Sequence, residues 1–405
     1  MSETSRTAPE NIVRILACPN AFKGSLTAGQ AAAAIAEGAA RASGAGIRFE
    51  TRCLPLADGG DGTLETLVEA TGGTLFSATV TDPIGRPVQA LWGRLGGAQS
   101  DTAVIEMAQA SGLRLLRSEE RDPLHTTTYG TGELMRIAVE AGCRTLLVGI
   151  GGSATNDGGA GMAQALGIHL RDAAGRALPP GGAALARLAQ IDGSGFLLPE
   201  GTRVRVACDV DNPLCGPEGA SAIYGPQKGA TPENIVALDA ALAHYARILR
   251  EQWGVEVADA PGAGAAGGLG AGLLAFCQAE MHPGTDLVLD ATGFDTEVRA
   301  CQLVVTGEGR LDGQTVRGKV VAGVARRAQQ AGVPVVALAG SLAEGAEDAL
   351  NAAGLAAAFS IVEGPTTVER AMQNAYRLVA GASYRIARLV RVGLEASVLF
   401  SPPAL

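Results

Sequence analysis

The stretch Thr145-Leu146-Leu147-Val148-Gly149-Ile150-Gly151-Gly152-Ser153-Ala154-Thr155-Asn156-Asp157-Gly158-Gly159-Ala160-Gly161-Met162-Ala163-Gln164-Ala165-Leu166 contains an apolar run, a polar glycine loop and a helix-like run, in that order. The first four residues read as a buried strand, and Met162–Leu166 reads as the start of a helix. A loop at this junction lets backbone N–H groups and a helix N-terminus face an anion. Glycine suits it because a Cβ would hold the ligand away and because many such backbone angles need φ > 0. Six of the thirteen positions from Gly149 to Gly161 are glycine, and Ser153, Thr155, Asn156 and Asp157 add polar side chains. A merely tight turn would need only two or three glycines.

Around this unit the chain alternates strand-length apolar runs with helical segments. Ile12–Cys18, Ala28–Arg41, Phe49–Leu56 and Gly62–Ala70 read as strand, helix, strand, helix. Toward the C-terminus Leu303–Val305, Gly323–Ala331, Val333–Leu338 and Leu355–Val362 repeat the rhythm, before a helical stretch, Val368–Leu394, with a break expected near Gly381. That order predicts a parallel sheet covered by helices on both faces. The middle differs. Asp82-Pro83-Ile84-Gly85 marks a hairpin turn, and Val104–Met107 and Val204–Cys208 read as further strands. The expectation is an α/β protein of two domains. A doubly wound parallel sheet is formed by both chain ends (11–70 and 292–405), with a mixed-sheet α/β domain (71–291) inserted and residues 1–10 as a disordered tail.

Composition narrows the function. The 405 residues are too many for one typical domain, and 47% are hydrophobic, enough for a sizeable core. A net charge of −9 with only 4% aromatics argues against a nucleic-acid partner. No apolar run approaches the length of a membrane span, and Met1–Glu10 shows no secretory h-region. Seven scattered cysteines without a Cys-x-x-Cys pair read as reduced thiols, so a cytoplasmic protein is expected. Four dispersed histidines do not make a metal cluster, which leaves a carboxylate as the expected general base.

Two familiar motifs fail on inspection. Gly313–Val320 approaches the P-loop spacing but lacks the hydroxyl residue after Lys319, and it stands well past its strand. Gly262–Gly267 fits Gly-x-Gly-x-x-Gly but follows Asp259-Ala260-Pro261 instead of an apolar strand, although Asp290 after a strand-like Leu287–Leu289 stands where a ribose ligand would. That loop suits an anion or tight packing equally. The remaining polar clusters each follow a strand: Pro19–Leu26, Ala57–Thr63, Cys208–Pro213 and Thr306–Asp312. In open α/β sheets ligands bind there. Lys23 and Lys319 suit phosphates, and Arg310 can fork onto a carboxylate or phosphate. Asp209 and Asp211, two apart, share a face if extended. Gly225–Gly229 and Thr128–Leu134 are further loop candidates, with Lys228 reading as a solvated lysine. The whole set suits phosphoryl transfer, which needs phosphate donors, carboxylates for Mg²⁺, cations and one proton acceptor.

In Pro19–Leu26, Ala57–Thr63, Gly149–Met162, Ala207–Pro213, Gly225–Gly229, Pro261–Gly270 and Thr306–Lys319 the chain resembles the type I glycerate kinases, from about Ile12 to about Leu394. That bacterial family phosphorylates D-glycerate with ATP. The resemblance implies a flavodoxin-like (Rossmann-like) domain built from both chain ends with a second α/β domain inserted, Mg-ATP as donor, and 2-phosphoglycerate as product. Asn20-Ala21 stands where relatives often carry Asp-Ser, and Asp61 where they often carry Glu. Position 20 is therefore not expected to act through a charge. The expected substrate residues are Lys23, Ser25, Arg310 and Asp312. Asp209 is the expected base, with Asp58 second. Gly151, Gly152, Ser153, Asn156, Asp157 and Lys319 are expected on ATP, and Asp157 or Asp211 on Mg²⁺. These roles require remote segments to converge, and a homodimer is compatible with them. The alternatives are an NAD(P)-dependent hydroxy-acid oxidoreductase, which would recruit Gly262–Gly267, and a non-catalytic sensor of sugar acids or nucleotides.

Overall fold

Val13, Ile15, Leu16 and Ala17 are buried on both sides of the first strand, as a central parallel strand requires. The structure, a computed structural model, describes residues 11–60, 62–312, 320–345 and 352–400. In chain order the strands of the first half are β1 (Asn11–Ala17), β2 (Ile47–Cys53), β3 (Thr74–Thr81), β4 (Pro87–Arg94), β5 (Thr102–Glu106) and β6 (Thr145–Gly149). Then follow β7 (His169–Asp172), β8 (Leu188–Asp192), β9 (Arg203–Ala207), β10 (Glu280–His282), β11 (Leu303–Leu311), β12 (Val335–Leu342) and β13 (Ala357–Ser360). The chain divides into two units. One takes the chain up to Asp58 together with the chain from Val288 onward, and the other is Gly59–Leu287.

The first unit holds a parallel sheet in the order β13-β12-β11-β1-β2. Counted within the unit, this is the doubly wound 2-1-3-4-5 order, flavodoxin-like as expected. The helix Ala28–Arg41 crosses from β1 to β2. Thr27 starts it with a capping box: Thr27 Oγ1 accepts from the Gln30 N–H at 3.1 Å, and Gln30 Oε1 from the Thr27 N–H at 3.0 Å. Its buried face, Ala28, Ala31, Ala32, Ile35 and Ala39, follows the helical period. The long helix Ala375–Phe400 packs on it so closely that a Cβ at Gly38 would run into the Ala380 carbonyl, and Ser383 Oγ donates to the Ile35 carbonyl at 2.7 Å.

The second unit is built on a mixed six-stranded sheet, β10-β9-β6-β5-β4-β3. Its β3–β4 hairpin is antiparallel, and β5, β6, β9 and β10 run parallel. The Asp82–Arg86 turn closes the hairpin, with Asp82 Oδ1 accepting from the N–H groups of Ile84 (2.9 Å) and Arg86 (2.8 Å). Ile105, Leu146, Val148, Met162, Leu166 and Leu269 are among the residues that fill the core. The pair β7–β8 stands apart as a small antiparallel ribbon.

Three local expectations change. Leu287–Leu289 lies in a helix, Gly284–Ala291, so Asp290 is no strand-end ribose ligand. The C-terminal helical stretch breaks at Asn374, whose Nδ2 donates to the Arg370 carbonyl at 2.8 Å; Gly381 lies inside the following helix. Strand β11 runs on from Val305 to Leu311, because β12 pairs with it through Gly307↔Leu338 to Leu311↔Leu342 despite its glycines.

Candidate active site

In the first unit the chain leaves β1 toward β2 on one side and returns as β11 on the other. This reversal opens a crevice at the carboxyl ends of the strands. A cavity of about 510 Å³ occupies it. Asn20, Lys23 and Ser25 after β1, Asp58 after β2, and Glu308, Arg310 and Asp312 at the end of β11 supply its polar lining. Phe22, Ile361, Val362, Val368, Ala371 and Met372 supply its apolar lining.

The loop after β1 is held by its own turn. The buried Phe22 anchors it, and its carbonyl accepts from Ser25 Oγ (2.8 Å), the Ser25 N–H (2.9 Å) and the Leu26 N–H (3.0 Å). Gly24 takes φ +79° at the tip, and the neighbouring Lys23 is left exposed. Asn20 is buried, with Oδ1 accepting from the Ala21 N–H at 2.7 Å, so it shapes the loop without a charge. On β11 the two-residue period puts Glu308, Arg310 and Asp312 on one face. Asp312 Oδ2 lies 3.4 Å from the Arg310 Nε and steadies an otherwise exposed guanidinium, whereas Glu308 is buried. The structure thus assembles Lys23, Ser25, Asp58, Arg310 and Asp312 around one cavity. It adds Glu308, which sequence reasoning passed over although its spacing from Arg310 was visible.

The second unit carries the glycine loop after β6. Gly151 and Gly152 are exposed, but Ser153 through Gly161 are buried. Asp157 is fully enclosed. Its Oδ2 accepts from the Thr128 N–H (2.8 Å), Thr128 Oγ1 (2.9 Å) and the Gly161 N–H (3.2 Å), and its Oδ1 from the Gly159 N–H (3.2 Å). Burial pushes this carboxyl above the usual carboxylate range, against the pull of those bonds. Asp157 therefore braces the loop from inside, enclosed by these donors. Asn156 is equally enclosed, donating from Nδ2 to Ser221 Oγ at 2.9 Å. Thr128–Leu134 is mostly helix and serves Asp157 instead of forming a ligand loop.

Lys228 reverses its expectation. It is only 1% exposed, and its Nζ donates to Ser153 Oγ (2.6 Å) and to the Thr155 carbonyl (2.7 Å). Burial pushes its pKa down to about 7, with the Asp157 charge opposing. No pattern around Gly225–Gly229 distinguishes such a lysine from a solvated one. The Gly262–Gly267 question also resolves, toward packing. A Cβ at Gly267 would overlap the Thr155 carbonyl, one at Gly264 the Pro213 carbonyl, and one at Gly268 would come within 2.9 Å of the Gly158 Cα. Two glycine-rich segments lie backbone against backbone, joined by the Gly158 N–H to the Gly267 carbonyl at 3.1 Å.

Asp209 and Asp211 follow β9 and are exposed; Asp209 Oδ1 accepts from the Gly284 N–H at 2.8 Å. Lys319 lies outside the described residues, as does Asp61. Among the described residues no three His, Cys, Asp or Glu side chains could hold a metal ion together, and no helix is long and apolar enough to cross a membrane.

An open parallel sheet with paired cations and carboxylates around the crevice at its switch point is the plan of an α/β enzyme acting on a small anionic substrate. The glycerate kinase family model matches residues 15–391, and the chain belongs to that family. It is 49% identical to a glycerate kinase of Halalkalibacterium halodurans over 92% of this chain and 97% of that protein. It is 46% identical to the glycerate 2-kinase of Escherichia coli K12 over 95% and 99% of the two chains. A crystal structure from Salmonella typhimurium LT2, assigned as a glycerate kinase 2, superposes with a TM-score of 0.86 at 46% identity, covering 95% of this chain and all of that one.

Proposed function

We propose that this protein transfers the γ-phosphoryl group of ATP to the 2-hydroxyl of D-glycerate, giving 2-phosphoglycerate and ADP. Family membership and near full-length likeness to glycerate kinases support the reaction, and the Escherichia coli relative's name supports the 2-position. The structural observation that carries it is the switch-point cavity, where Lys23 and Arg310 stand with Asp58, Glu308 and Asp312.

Each side chain has a task its chemistry suits. Arg310, steadied by Asp312, forks onto the glycerate carboxylate, and Lys23 adds a point charge that draws in carboxylate or phosphate. Ser25 offers a hydroxyl to the same ligand. One carboxylate accepts the proton of the attacking hydroxyl. The sequence pattern favours Asp209, while Asp58 stands in the cavity with both cations. Mg²⁺ keeps most of its waters and is held by phosphates with one or two carboxylates, which fits a chain lacking a three-ligand cluster among its described residues. Asp211, exposed beside Asp209, would supply such a ligand; the enclosed Asp157 would not. When bound, the ion would neutralise charge on the transferring phosphoryl group. All seven cysteines are free thiols, which supports a reducing cytoplasmic setting. The proposed assembly is a homodimer, checked by light scattering on the purified protein.

The test is ADP release coupled to D-glycerate, with the product read by phosphorus NMR. No glycerate-dependent ADP would end the proposal. A phosphomonoester on the 3-oxygen would overturn the regiochemistry and keep the enzyme class.

A further inference from the structure

The switch-point cavity is too large, and one wall too greasy, for the acid alone. Glycerate has seven non-hydrogen atoms. Counted as generously as liquid water, at about 30 Å³ each, they fill roughly 200 Å³. More than half of the 510 Å³ remains. Much of the lining is apolar: Ile361, Val362, Val368, Ala371, Met372 and Ala375. A three-carbon acid with two hydroxyls has no apolar surface to set against it.

We propose that this apolar lining is the purine-base subsite of the phosphoryl donor, so that the first unit binds the nucleotide from base to phosphates; the identity of that donor rests on the kinase reading above. A planar base presents two apolar faces and a polar edge. The aliphatic residues would cover a face, and the thioether of Met372 makes favourable contacts with aromatic rings. Thr366 and Thr367 also line the cavity, beside Val368 in the chain, and could meet the edge, although Thr367 Oγ1 already accepts from the Arg370 N–H at 3.3 Å. Met372 and Val368 are 38% and 70% exposed, so a ligand would remove water from both. The Met372 methyl group lies beside Gly24, next to Lys23, so the apolar wall adjoins the charged loop. The same cavity brings Lys23 and Arg310 together with three carboxylates, Asp58, Glu308 and Asp312. Such a balance repels a bare triphosphate and accepts one that carries a divalent cation. The cavity also lies where a doubly wound sheet of this order holds its mononucleotide.

The experiment fills or trims the apolar wall and measures ADP binding by calorimetry alongside steady-state kinetics. Ala371→Phe should raise the Kd for ADP and the KM for ATP at least tenfold, leaving the KM for glycerate within twofold and the Kd for inorganic tripolyphosphate, measured with Mg²⁺, unchanged. Met372→Ala should raise the Kd for ADP three- to tenfold. Unchanged far-UV circular dichroism and melting temperature confirm that both variants fold. A rise in the KM for glycerate with ADP binding unmoved would overturn the proposal, as would unchanged constants in both variants. If the wild type binds ADP with this sensitivity but does not phosphorylate glycerate, the base subsite stands and the kinase reading falls.

Discussion

Replacing Lys228 by methionine should remove a pH dependence of stability that the wild type carries in its second unit. The Lys228 Nζ meets two acceptors, Ser153 Oγ and the Thr155 carbonyl. A neutral amine has two N–H groups for them, whereas an ammonium brings a third. Burial lowers the folded pKa to about 7; an unfolded lysine titrates near 10.4. Between those values the unfolded chain holds a proton that the folded one does not, so stability rises with pH. The cost of the buried cation is full below pH 7 and is relieved as pH climbs toward the unfolded value. At about 1.4 kcal/mol per unit, the wild-type advantage over Lys228→Met should grow by roughly 3 kcal/mol from pH 7 to pH 9. Losing the donor to Thr155 adds a roughly pH-independent 1–3 kcal/mol against the variant. The charged group that acts on the amine is Asp157; burial raises its pKa, and its ionisation should not change in the variant enough to mimic this slope. Urea unfolding at pH 6, 7, 8 and 9, followed by tryptophan fluorescence, reads the right region, because Trp92 and Trp253 both belong to the second unit. Parallel stability curves for the two proteins across that range would refute a buried, readily neutralised lysine.

Four further outcomes are expected. Asp157→Asn should cost about 2–4 kcal/mol, since an amide N–H₂ would face backbone donors, while the Mg²⁺ concentration for half-maximal activity stays put; a shift in that concentration would restore a metal role. Gly267→Ala, at φ +70° against the Thr155 carbonyl, should lose a similar amount and melt on the order of 10 °C lower, as differential scanning calorimetry would show. Gly151→Ala has open space and no positive φ, so its melting temperature should match wild type; with the nucleotide held by the first unit its KM for ATP should also stay within twofold, and a tenfold rise would return the exposed loop tip to the phosphate site. Asp209→Asn should lower kcat by two orders of magnitude or more with the KM for ATP largely kept; a near-normal kcat there, with loss in Asp58→Asn, would assign the base to Asp58.

How much of this was legible depended on whether chemistry was local. Strands β1, β2, β6 and β9 announced themselves as apolar runs, and Thr27 with Gln30 announced the helix that joins the first two. The cluster Lys23, Asp58, Arg310 and Asp312 was readable because each residue lies at or just beyond the carboxyl end of a strand, and parallel strands bring these ends together. The reading weakened where glycine served packing. The loop from Ser153 to Gly161 has the composition of an anion cradle, yet its glycines admit the Gly262–Gly272 backbone, a partner a hundred residues away. Asp157 and Lys228 look like surface chemistry in one dimension and are interior struts in three. Likewise Leu287–Leu289 was too short to separate helix from strand by periodicity.

The split of the first sheet bears on how the polypeptide acquires its shape during synthesis. Strands β1 and β2 emerge early, but β11, which pairs with β1, begins roughly 250 residues after β2 ends. At about 5–20 residues per second the ribosome needs about 12–50 s to deliver it. The intervening unit is continuous and can condense in that interval, whereas the first two strands wait with β1 unpaired along one edge. An N-terminal nascent fragment should therefore be the stage most dependent on chaperone cover, and a circular permutant beginning near Val288 should mature faster than the natural order.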